Sequence, residues 1–163
     1  SSGGRLTDLA LLRAVQAERL PVDSPHREAM LMQAEDLLLR GLSANPSDGY
    51  AWFRLAVVRS VRGAESGQVA AALMQSLDTA PNVRHLWLPR IEMMLRYWRD
   101  FSVDELLVMR SQIRVIWTVP LYRLPLMRAA DAEGQSLMVR WSLSGDVRSE
   151  AEYLRLEADV DSR

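Results

Sequence analysis

The sequence predicts an all-α protein built as a stack of antiparallel helix pairs, with shorter helices closing the C-terminal end. Three observations carry that prediction. Apolar residues recur at i, i+3 and i+4 along most of the chain, and prolines and glycines fall where helices would have to stop and restart. A shift of 35 residues overlays Leu38 on Leu73, Leu42 on Leu77, Pro46 on Pro81 and Trp52 on Trp87, with Ala34 falling on Val69. Self-similarity at such a period marks a unit too small to bury its own apolar face, so that neighbours must stack. Strand signals are scarce, and the one Asp-Gly, at 48–49, sits inside a helix-start signal. About seven to nine helices are expected.

Ser1 to Gly4 carry neither caps nor periodicity and read as a flexible remnant of cloning. Leu6, Leu9, Ala10, Arg13 and Ala14 then begin a helical stripe from about Thr7 to Leu20, closed by Pro21. Ser24-Pro25 is an N-cap followed by proline at the first helical position, and an apolar face runs from Ala29 to Leu42 before Asn45-Pro46. Ser47-Asp48 caps a third helix stopped by Gly63, and Ser66-Gly67 opens a fourth that ends at Ala80-Pro81. Asn82 can cap a fifth, reaching about Arg99, although Pro89 should kink it or delay its start. Ser102-Val103-Asp104-Glu105 has the form of a capping box and starts a sixth that ends before Pro120. Short helices near 121–130, 135–143 and 147–158 complete the chain. The repeat region is thus 5–120 and the capping helices with a frayed tail 121–163.

Composition narrows the function classes. Charged residues make up 25% and apolar residues 48% of 163, with a net charge of −1, so no global charge excess draws the chain to nucleic acid or an anionic bilayer. The absence of cysteine removes thiolate nucleophiles, thiolate zinc sites and disulfides. Every basic residue is arginine, and isoleucine appears only at 91, 113 and 116, a bias that fits a GC-rich bacterial genome. The longest apolar stretch, Val115 to Met127, is interrupted by Pro120, Arg123 and Pro125.

Trp52, Leu55 and Ala56, preceded by Ala34, Leu38, Gly41 and Pro46, resemble the tetratricopeptide repeat across roughly 7–120. The following unit keeps Pro81 and Trp87 but places Arg90 and Ile91 where leucine and a small residue belong, so the resemblance is to a divergent member. It implies a right-handed stack of helix pairs whose first helices line a concave groove. By position, Tyr50, Phe53 and Val57 would line it from one unit and His85, Leu88 and Glu92 from the next, an apolar and aromatic surface suited to an apolar or helical protein segment. The segments at 90–98 and 110–117 are also similar to bacterial membrane-anchored proteins linked to exopolysaccharide synthesis and export, in which a transmembrane helix precedes a periplasmic helical-repeat domain.

Signals for chemistry are sparse. His26 and His85 have no second histidine at i+3 or i+4 to make a metal face, and the glycines form no phosphate loop or nucleophile elbow. Glu35-Asp36 and Asp104-Glu105 point to different helix faces. Arg96, Arg99, Arg110 and Arg114, interleaved with Trp98 and Trp117, form a secondary basic and aromatic surface able to grip an anion, although in a chain without lysine arginines serve first as solvated helix faces and core-edge pairs.

The expectation is therefore a non-enzymatic scaffold with no catalytic residue, cofactor or metal. It would assemble bacterial envelope components in the periplasm, held at the inner membrane by a segment outside this sequence. Its partner would be a protein or peptide rather than nucleic acid. The rivals are a cytoplasmic adaptor or homodimer and an accessory subunit of an enzyme.

Overall fold

A computed structural model describes residues 2–163, with side chains from Gly3 onward. Among the described residues 81% are helical and no strand occurs. Nine α-helices follow in order: α1 (Ser2–Glu18), α2 (Pro25–Ala44), α3 (Gly49–Arg62), α4 (Ser66–Thr79), α5 (Arg84–Arg96), α6 (Val103–Trp117), α7 (Pro120–Ala132), α8 (Ser136–Leu143) and α9 (Val147–Asp161), with a 3₁₀ turn at Trp98–Asp100. Backbone contacts group them into two compact units, one ending at Asn82 and the other spanning Val83–Arg163.

Local chemistry explains the boundaries. Asp48 caps α3 by accepting from the Ala51 amide at 2.9 Å, and Gly63 ends that helix in the left-handed conformation at φ 75°. The capping box of α6 is complete, with Ser102 Oγ accepting from Glu105 N at 3.2 Å and Glu105 Oε1 from Ser102 N at 2.9 Å. Ser24 precedes Pro25 in extended backbone, yet its hydroxyl makes no capping bond. Pro89 lies inside a continuous α5 that starts at Arg84, so it does not delay the helix.

In the first unit α1 lies along α2, α3 along α4, and α2 packs on α3. The six positions of α2 and α4 matched by the 35-residue shift, namely Ala34, Leu38, Leu42, Val69, Leu73 and Leu77, are buried. Glu35 straps α2 to α3, accepting from Arg59 Nε at 3.1 Å and pairing with Arg62 Nη2 at 2.8 Å. At the far end, α3 starts hard against the end of α4. A Cβ at Gly49 would sit 2.3 Å from Ala80 Cβ, and Ser76 Oγ donates to the Gly49 carbonyl at 2.7 Å.

Three sequence expectations are corrected in this unit. Helix α1 begins at Ser2 rather than after a flexible remnant, and Gly3 is buried beside Gly41; Ser1 lies outside the described residues. The stripe of α1 is also rotated. The side facing inward carries Gly3, Thr7, Ala10 and Ala17, because small residues allow close approach to Gly41, where a Cβ would meet Thr7 Cγ2 at 3.2 Å. The larger Leu9, Leu11, Leu12 and Val15 therefore face outward, Leu12 at 59% exposure. The two matched tryptophans, finally, are not equivalent. Trp52 is half-buried and its indole N–H donates to the Pro46 carbonyl at 2.9 Å, pinning the turn between α2 and α3.

In the second unit α5 lies beside α7 and α6 beside α8, while α7 touches both α6 and α8, and α9 rests on α8. Alternate helices thus form two layers. Trp87 is buried here, edge-on to Tyr122 with ring centroids 5.8 Å apart. Arg90 shares its face at i, i+3, i+4 and i+7 spacing with Trp87, Ile91 and Met94, and its side chain is enclosed at 1% exposure. That burial pushes its pKa down to about 10. It belongs to the core, not to the basic surface.

Candidate functional site

Tyr50, Phe53 and Val57 recur at i, i+3 and i+7 and so share one face of α3. Tyr50 is 40% exposed with the Arg54 guanidinium 4.3 Å from its ring centroid, while Phe53 and Val57 are half-buried. The face is positioned by the Gly49 contact, which fixes where the first turn of α3 begins. His85, Leu88 and Glu92 occupy a face of α5 in the same way, His85 exposed and the other two half-buried. The first triplet belongs to the first unit and the second to the second.

The four arginines of the basic surface divide by partner. Arg110 and Arg114 converge on the end of α8. Arg114 Nε donates to the Ser142 carbonyl and its Nη2 to the Ser144 carbonyl, both at 2.7 Å, and Arg110 reaches the same two oxygens at 3.4 and 2.9 Å. The last carbonyls of a helix carry partial negative charge and lack intrahelical donors, so two guanidiniums there form a side-chain cap. Arg110 also lies 5.1 Å from the Trp141 ring centroid. Arg96 is engaged elsewhere, in a forked pair with Glu133 through Nε at 3.1 Å and Nη2 at 2.8 Å, and that hydrogen bond raises its pKa. Arg99 stacks over Trp98 at 5.5 Å. The spacing of these residues showed the cations, but their partners lie about 30 residues downstream, beyond any local pattern.

The outward face of α1 escaped the sequence reading altogether. Leu9 and Arg13 of α1 and Met32, Gln33, Asp36 and Leu37 of α2 line an open groove of about 480 Å³. An i, i+3, i+4 pattern cannot tell which of two apolar stripes faces inward when one is made of small residues and the other of large ones; the signal that decides it is residue size. In the second unit Leu124, Met127, Asp131, Tyr153 and Glu157 line a smaller cleft of about 200 Å³, where burial and then Glu157 push the Tyr153 hydroxyl above its usual pKa.

Among the described residues no group of three histidine, aspartate or glutamate side chains could hold a metal ion, and no helix is long and apolar enough to cross a membrane. No family model, curated protein or solved structure matches the chain.

Proposed function

We propose that the chain is a non-enzymatic helical-repeat scaffold of tetratricopeptide type that holds an apolar or amphipathic helical segment of a partner protein. The observation that carries this reading is the display of apolar and aromatic side chains on helix faces whose opposite sides are fully packed. Leu9, Leu11, Leu12 and Val15 on α1, with Tyr50 and Phe53 on α3, offer non-polar area that ordinary solvated helices give to charge. The burial of the six α2 and α4 positions matched at 35-residue spacing supports the repeat reading of the first unit, and the layering of alternate helices is compatible with it in the second. His85, Leu88 and Glu92 offer a second candidate face on α5, within the second unit.

The periplasmic, exopolysaccharide-linked placement rests on the resemblance at 90–98 and 110–117. Fractionation of cells carrying the full-length gene product tests it: recovery in the membrane fraction with protease access from the periplasm supports it, and recovery in the cytosol favours the adaptor. The scaffold reading is tested by photo-crosslinking in the same cells from Leu12, Phe53 and, as a control, the exposed Leu137. A discrete adduct from position 12 or 53 and none from 137 is expected. No adduct, or the same adducts from all three, overturns the reading.

A further inference from the structure

Helix α9 packs on one side and is bare on the other. Tyr153 is buried and, with the half-buried Ser149 and Leu156, makes the packed side of the helix, which rests on α8. On the opposite side Val147, Ala151, Leu154 and Ala158 are all exposed, Val147 at 80% and Leu154 at 47%. They recur at alternating spacings of four and three residues, the a and d positions of a heptad, with valine and leucine at d and alanine at a. Ser149 and Leu156 then fall at f, the position farthest from such a seam, so the register read from the sequence agrees with the burial.

The charges bordering this stripe are sorted by sign. Both e positions within α9 are arginine, Arg148 and Arg155, and both g positions are glutamate, Glu150 and Glu157. When two copies of a helix pack in parallel, each g residue faces the e residue five positions on in the other copy, so Glu150 meets Arg155 of the second copy. In an antiparallel pair g faces g and e faces e, and like charges meet along both edges of the seam. The charge pattern of α9 therefore complements itself in the parallel orientation and opposes the other. Neither member of the pair is committed to the interior. Glu150 accepts from the Gly145 amide at 3.3 Å, and Arg155 is bonded along its own helix to Glu152 at 2.6 Å and Asp159 at 3.4 Å, exposed contacts that contribute little.

We propose that the chain self-associates through α9, two copies laying these helices parallel and in register about a two-fold axis, with Leu154 against Leu154 and Glu150 paired with Arg155 in both directions. The alanines at a allow close approach, and the packed side of α9 points away from the axis. Asp161, at the next d position, would face its own copy, so the seam ends after Ala158. Two heptads bury less area than a standard interface, which sets the dissociation constant on the order of 100 µM. None of the residues offered to a partner protein on α1 and α3 takes part.

Sedimentation equilibrium of the whole chain, from about 10 µM to about 1 mM, tests this. A monomer–dimer equilibrium is expected. Leu154→Glu and Val147→Glu, both at exposed positions, should each weaken it about tenfold or more with helicity and melting unchanged. Glu150→Arg and Arg155→Glu should each weaken self-association, because like charges then meet, whereas an equimolar mixture of the two variants should recover the original affinity as a heterodimer in which both pairs are opposite in sign. Orientation is read from Val147→Cys in a chain that has no other cysteine. In a glutathione buffer it should form a disulfide-linked dimer, and Val103→Cys, equally exposed on α6, should not. Antiparallel helices would hold the two 147 positions about 16 Å apart, beyond the reach of a disulfide. A chain still monomeric at the highest concentration, a dimer indifferent to Leu154→Glu, a variant mixture that associates no better than its components, or a Val147→Cys that crosslinks no more than Val103→Cys overturns the proposal.

Discussion

The contact between the start of α3 and the end of α4 gives the sharpest test of how the first unit is built. In Gly49→Ala the new methyl would lie 2.3 Å from Ala80 Cβ, 2.9 Å from Thr79 Oγ1 and 3.1 Å from the Ala80 amide nitrogen. Carbon atoms in good contact stand about 3.5–4.0 Å apart, so the two helix ends must separate by more than about 1 Å. Overpacking of that kind costs about 1–3 kcal/mol. The movement also strains the 2.7 Å bond from Ser76 Oγ to the Gly49 carbonyl, a fully buried contact worth about 1 kcal/mol. Better helix propensity returns at most about 1 kcal/mol. The net expectation is a loss of about 2 kcal/mol, equivalent to a fall in Tm of about 10 °C for a cooperative unit of this size. Gly67→Ala is the matched control, because a Cβ there meets nothing within 4 Å and the residue sits in the first turn of α4. It should stabilise by up to about 1 kcal/mol through a less disordered unfolded chain. Urea unfolding and amide exchange of the α4 residues measure both changes. The reasoning is refuted if Gly49→Ala is as stable as Gly67→Ala.

Three further outcomes follow from the same geometry. Trp87→Ala should cost about 3–5 kcal/mol as a core truncation, whereas Trp52→Ala should cost about 1–2 kcal/mol, chiefly its bond to Pro46 and half-buried ring area; equal losses in chemical denaturation would contradict the difference in burial. Arg110→Ala and Arg114→Ala should each cost roughly 1 kcal/mol, and the double variant more than their sum, because either guanidinium can still reach the Ser142 and Ser144 carbonyls when the other is removed; an additive double-mutant cycle would exclude a shared cap. The Ser149 amide and then its hydroxyl hold the Asp146 carboxyl below its ordinary 3.8, so its contribution to α9 is present above that value and is lost as pH falls through the lower folded value. The Arg148 and Ser149 amide resonances should report that loss, and Asp146→Ala should abolish the dependence.

Local patterning determined the all-α class, the ends of most helices and the buried positions of α2 and α4. Each of these depends on neighbours within a turn or two, as with the Ser102–Glu105 capping box or the left-handed Gly63, and such chemistry is written along the chain. The short C-terminal helices were legible for the same reason. The candidate groove residues could be placed on helix faces by period alone, but what surrounds them could not.

What tertiary structure decided was the choice among apolar faces and the fate of the charges. Helix α1 offered two stripes, and only the close approach at Gly41 made the small one inward and turned four large side chains out. Arg96, Arg99, Arg110 and Arg114, which read as one basic surface, were divided by packing into an ion pair with Glu133, a stack on Trp98 and a cap on α8, while Arg90 was drawn into the core. Helix periodicity reports which residues lie together on one cylinder. Which cylinder they meet, and whether an arginine finds a carbonyl, a carboxylate or a ring there, depends on residues tens of positions away.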